Sequence, residues 1–129
     1  MGRVMAWLPA LAWAVVIFSL SAQPALPAPE VPYVDKVAHF GAYAVLGACL
    51  AFAVHRSSLP MGLAVFLGAA YGASDEIHQM FVPGRSPDVF DWVADAAGVA
   101  ASVYLYSRWR VRRGAPAGAA MGRAPYPGA

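Results

Sequence analysis

The residues able to do chemistry fall into three short blocks: Asp35-Lys36 with His39 and Tyr43, then Asp75-Glu76 with His78 and Gln79, then Arg85 with Asp88, Asp91 and Asp95. Carboxylates set among imidazoles and two bases support three kinds of chemistry. They can neutralise one another in a network that ties helix ends together. They can line a pocket for a lipid headgroup or an antibiotic. They can also hold a divalent ion or take part in catalysis, and His39, Asp75, His78 and Asp91 supply ligand types for such an ion. No H-E-x-x-H or paired-cysteine motif accompanies them. Asp75-x-x-His78 also lacks a serine nucleophile with a defined neighbourhood, since Ser74 reads as a helix residue and Ser86 as a cap. Catalytic residues, metal and cofactor are therefore left open by the residues themselves.

The elements that must position these groups are membrane helices. The chain has 129 residues, of which 60% are hydrophobic and 12% charged, about half the usual charged share of a soluble domain. Mean hydropathy is +0.53. So few charges cannot cover the apolar surface of a small soluble fold. A single cysteine excludes a disulfide framework, and the high hydrophobicity excludes disorder. Four apolar runs follow one another, over 4–21, 37–54, from near Leu59 to Ser74, and over 89–106. The fold class is all-α, an integral membrane bundle of four transmembrane helices.

Residues 1–22 form the first transmembrane helix, with a cleavable signal peptide as the alternative, because small residues surround Ser21-Ala22. Residues 23–34 hold four prolines and form an extended external connector. Residues 35–107 are a three-helix membrane core, and 108–129 a basic, disordered cytoplasmic tail. Pro83-Gly84 marks a turn, after which Ser86 caps the fourth helix with Pro87 at its first position. Trp92 and Tyr33 fit an outer aromatic belt, and Tyr104, Tyr106 and Trp109 an inner one.

Charge placement sets the orientation. With a cytoplasmic N-terminus, Arg3, Arg56 and the five arginines from Arg108 to Arg123 lie inside, and only Lys36 and Arg85 outside. The basic C-terminal block follows an apolar run, so it reads as this orientation signal and not as a nucleic-acid site. His39 lies 17 residues before Arg56, Asp75 17 after Ser58, and Asp91 17 before Arg108, each roughly 25 Å along a helix at about 1.5 Å per residue. Three helices thus bring ionisable groups to one level in the outer third of a hydrocarbon layer about 30 Å thick. Asp35, His39 and Tyr43 share one helix face, Asp88, Asp91 and Asp95 another that continues through Gly98 and Ser102, and Gly68, Gly72 and Glu76 a third. An outward-opening polar pocket follows. Its six acids (35, 75, 76, 88, 91, 95) face two bases, a formal charge of −4. Protonated carboxyls, or a cation or cationic ligand, would relieve it.

The same blocks carry a family resemblance. Asp35-Lys36-Val37-Ala38-His39-Phe40 with Tyr43, Ser74-Asp75-Glu76-Ile77-His78-Gln79, and Pro83-Gly84-Arg85-Ser86-Pro87 with Asp88 and Asp91 resemble the VanZ-like family over residues 35–106. The family commonly has Asn near the position of Asp95, so this chain departs from the pattern there. The resemblance implies a small multi-span protein of the bacterial cytoplasmic membrane. The founding member is associated with resistance to the glycopeptide teicoplanin. Expected partners are the lipid bilayer and a lipid-linked envelope component or a glycopeptide. An intramembrane enzyme acting on a lipid-linked substrate, or a structural membrane subunit, are the alternatives.

Overall fold

The computed structural model describes residues 2–24, 31 and 33–114. Among them it contains four α-helices and no strand. A 3-10 turn over Val4–Trp7 leads into α1, Leu8–Ser21, whose apolar residues encircle it. Pro9 sits in its first turn, where a missing N–H costs nothing. The other helices are α2 (Val34–Arg56), α3 (Met61–Gln79) and α4 (Val89–Gly114). Among the described residues, two segments, Val4–Ser21 and Val34–Arg56, are long and apolar enough to cross a membrane. Most of the proline-rich connector lies outside the described residues, as does everything beyond Gly114.

Local chemistry explains each boundary. Tyr33 has φ 66° and turns the chain into α2. At the other end of α2, Leu59 N–H donates to Val54 O (3.0 Å) and Ser58 N–H to His55 O (3.1 Å). That pattern, with Ser58 at φ 60°, is a Schellman motif in which serine holds the left-handed position usually given to glycine. Pro60 then stops any continuation. Left-handed backbone costs an L-residue about 1–2 kcal/mol, and glycine escapes the cost while losing more unfolded-state entropy. Ser58→Gly is therefore expected to stabilise the protein by up to about 1 kcal/mol, read as a higher Tm in detergent.

Pro83-Gly84 forms the expected turn, with Gly84 at φ 75° and Arg85 N–H donating to Val82 O (3.1 Å). The cap of α4 differs from expectation. Asp88, not Ser86, holds it: Asp88 Oδ1 accepts from Phe90 N–H at 2.8 Å, and its carbonyl accepts from Asp91 N–H at 3.0 Å. An aspartate next to the first turn satisfies an orphan N–H that Ser86, two residues earlier, cannot reach. The basic tail also needs correction at its start. Residues 108–114 continue α4 instead of leaving it. Arginines are good helix formers there; Arg108 lies over the Tyr104 ring and Arg113 over Trp109 (4.7 Å), and positive charge suits a helix C-terminus.

α2 is the central helix. Its widest interface is with α4; α3 packs on both, and α1 touches α2 and α3 but not α4. The core joins Ile17 of α1, Tyr43, Leu46, Leu50 and Val54 of α2, Ala64 of α3, and Val99 and Val103 of α4. Glycine allows the close approach at two seams. A Cβ on Gly98 would strike the Phe40 carbonyl and sit 3.0 Å from Ala44 N, and one on Gly68 would sit 2.6 Å from the Val99 methyls. Polar pins fasten α1 and the turn before it: Trp13 Nε1 donates to Ala42 O (2.8 Å), Tyr71 Oη to Ala14 O (2.6 Å), and Trp7 Nε1 to Ser57 Oγ (3.0 Å).

Candidate functional site

The ionisable residues assemble at one end of the bundle, in two connected parts. The first is a bridge between α2 and α4. Lys36 Nζ lies 2.8 Å from Asp35 Oδ2, 2.7 Å from Asp88 Oδ2 and 2.6 Å from Asp91 Oδ1. One turn deeper, His39 Nδ1 is 2.9 Å from Asp95 Oδ1, and its Nε2 is 3.8 Å from Asp91 Oδ2. The i, i+3, i+7 spacing of Asp88, Asp91 and Asp95 thus meets Lys36 and His39 across the seam, as helix-face geometry requires. Glu76 of α3 joins from the side, its Oε2 accepting from Asp88 N–H at 2.7 Å. Asp88 lies outside the helices, and the Lys36 ammonium, with the Phe90 N–H, holds its carboxyl below the usual carboxylate range.

The second part is a cavity of about 240 Å³ between α1, α2 and α3. Ile17, Leu20, Ala38 and Ala42 give it an apolar wall. Asp35, His39, Tyr43, Asp75, Gln79 and Arg85 supply the polar one. Asp75, Gln79 and Tyr43 are buried. His78 stacks on Phe18 with ring centroids 4.5 Å apart, and its Nδ1 is 4.0 Å from Asp75 Oδ1. Gln79 Nε2 donates to Ser21 Oγ at 3.3 Å. His39 belongs to both parts, because it lines the cavity and holds Asp95.

Three sequence expectations change. Arg85 was expected to neutralise carboxylates, yet among the described residues it pairs with none; its Nε donates to Gln23 O at 3.2 Å. The long side chain leaves the acid cluster because the turn at Pro83-Gly84 carries it towards the end of α1. Second, Asp75 and Glu76 are neighbours in sequence but, about 100° apart on a helix, they separate: Asp75 faces the cavity and Glu76 faces α4. Third, the four expected ligand types do not converge. His39 groups instead with Glu76 and Asp95, one potential ligand atom from each lying within 4.8 Å of the others. Trp92, expected in an aromatic belt, also donates from Nε1 to Ala69 O at 3.0 Å.

Sequence reasoning missed the α1 contribution. Ile17, Leu20 and Ser21 line the cavity, but an apolar run gives no sign of which face meets a pocket. Ser21 was the available signal: a polar residue closing an apolar helix, only 7% exposed in the fold.

The family model described as VanZ/LLP1 matches residues 4–110, most of the chain. This chain belongs to the VanZ/LLP1 family. No curated protein and no solved structure gives a significant match. The VanZ/LLP1 match runs from the first apolar segment to Arg110, so it takes in α1 as well as the three blocks of ionisable residues. Every side chain of the cavity and of the α2–α4 bridge falls within it.

Proposed function

We propose that this VanZ/LLP1 protein is a four-span protein of the bacterial cytoplasmic membrane, with both termini in the cytoplasm, and that its polar end faces outward to bind the headgroup of an amphiphilic envelope component. The observation that carries this reading is the two-sided cavity. An apolar wall from α1 and α2 suits the start of a lipid chain, and buried Asp75, Gln79 and Tyr43 suit a headgroup rich in hydroxyls and amides. The excess of arginines at the opposite end supports the orientation. Membrane burial of α3 and α4 is supported by their exposed apolar side chains, among them Phe66, Val93 and Leu105. Contribution to glycopeptide tolerance follows if the component bound is the one the antibiotic engages.

Binding of lipid-linked cell-wall precursor to the purified protein tests the reading. Wild type should bind it saturably. Asp75→Asn should remain folded and lose at least about tenfold in affinity, the lower end of the roughly 1.5–3 kcal/mol expected for a hydrogen bond to a charged group. Equal binding by a well-folded Asp75→Asn protein, or an external reporter fused after Arg113, would overturn it. A second reading, an enzyme acting on that lipid, is favoured by the Asp95–His39 hydrogen bond (2.9 Å), which fixes an imidazole tautomer for proton transfer. It predicts turnover of bound lipid that His39→Gln abolishes.

A further inference from the structure

Lys36 shares one positive charge among Asp35, Asp88 and Asp91. Deeper in the bundle, Asp75, Glu76 and Asp95 are each more than nine-tenths buried, and the basic group that approaches Glu76 and Asp95 among the described residues is the His39 imidazole. Asp95 is wholly buried, and its Oδ2 has no hydrogen-bond partner; nor does Glu76 Oε1. Carboxylate oxygens left bare in this way cost several kcal/mol unless a cation or proton meets them. The two carboxylates stand on different helices, α3 and α4, and His39 approaches from a third, so that one ligand atom of each lies within 4.8 Å of the others. We propose that His39, Glu76 and Asp95 form a binding site for a first-row divalent transition-metal ion.

The ligand set selects the class of ion. Two carboxylates with one imidazole suit Zn²⁺ or Mn²⁺, whereas Ca²⁺ and Mg²⁺ favour all-oxygen sites. Asp95 Oδ1 and His39 Nδ1 already lie 2.9 Å apart, so an ion ligated by both would replace the hydrogen bond that joins His39 to Asp95. Gly72 makes room beside it: a Cβ there would sit 3.1 Å from Asp95 Oδ2, so the glycine keeps that oxygen clear. An entry path exists from either side. His39 borders the cavity already described, and Glu76 borders a second hollow, with Pro87 and Trp92, between α3 and α4. A divalent ion would also offset half of the cluster's formal −4 charge. The site does not depend on which envelope component is bound.

The test uses full-length protein purified in detergent with a histidine-free tag, stripped with chelator and titrated with Zn²⁺ or Mn²⁺. Wild type should take up one ion per chain and gain thermal stability with it. Glu76→Gln and Asp95→Asn should each weaken binding at least as much as the roughly 10–100-fold lost when an outer-shell partner is removed. Asp75→Asn, a buried acid outside the triad, should keep the ion. Pulsed EPR of Mn²⁺-loaded wild type should show one coupled imidazole nitrogen, a readout independent of whether the variants fold. No uptake above protein-free detergent, no imidazole coupling, or equal loss in Asp75→Asn would each overturn the site.

Discussion

Gly98→Ala should unseat α4 from α2. The added methyl would drive into the Phe40 carbonyl, with the Phe40 carbonyl carbon at 3.1 Å and Ala44 N at 3.0 Å. Both obstacles are backbone of a continuous helix, so no rotamer change relieves the contact, and the helices must part. Overpacking costs typically about 1–3 kcal/mol and occasionally more; this position belongs at the upper end. The seam it opens is the one that sets Lys36 and His39 against Asp91 and Asp95, so the damage extends to the ion pairs. Gly41→Ala is the matched control. It lies on the same helix as Phe40, has nothing within 4 Å of its added methyl, and should be neutral or stabilising by about 0.5–1 kcal/mol through helix propensity. Thermal unfolding in detergent reads both. A Gly98→Ala protein as stable as wild type would mean that α2 and α4 do not meet at this register.

Lys36→Met should be the most damaging loss of a charge, and Arg85→Ala nearly silent. Removing Lys36 leaves Asp91, with a side chain only 10% exposed, facing Asp88 and Asp35 with the His39 ring, 3.8 Å away, as its remaining neighbour of opposite polarity. Breaking a fully buried pair costs about 3–5 kcal/mol. Lys36 keeps 26% of its side chain exposed, so about 1–3 kcal/mol is expected after solvent screening. Arg85 contacts a backbone carbonyl, and its loss should cost under about 1 kcal/mol. The effect has a pH signature. Asp88 is held below its ordinary value of 3.8 by Lys36, so in wild type its contribution is present above that value and fades as pH falls through the lowered one. Lys36→Met lacks that contribution, and the stability gap between the two proteins should narrow in acid. Unfolding midpoints measured between neutral pH and the acid limit check the sign; a gap that widens would refute the pairing.

Much of this arrangement was legible before any coordinates, because helices impose fixed rise and fixed angles. Counting back from Arg56 and Arg108 placed His39 and Asp91 at one depth, and they are 3.8 Å apart at Nε2 and Oδ2. The small-residue rows through Gly68, Gly72 and Gly98 marked the faces that approach closely, and those are the positions where a Cβ would collide or crowd. Partner choice was not legible. Lys36 and Arg85 carry the same charge and lie at the same end, but only the turn geometry decides that Arg85 reaches Gln23. Asp95 shows the same limit: its departure from the family pattern gave no hint that it would be the wholly buried centre of the cluster. Periodicity gives a residue's face, and the identity of the opposing atom comes from packing.

The α2–α4 seam also bears on how the chain is made. Lys36 and His39 emerge from the ribosome more than fifty residues before Asp91 and Asp95, their partners, and α3 is synthesised between them. Until α4 is made, Lys36 has only its neighbour Asp35 as a partner, and His39 and Glu76 lack the groups at and before α4 that they meet in the folded chain. Pairing across the α2–α4 seam therefore comes last, once the fourth helix has been made. Chains stopped before Asp95 lack the packed α2–α4 seam and should be selected for proteolysis, so cellular abundance reports directly on whether that last helix has docked.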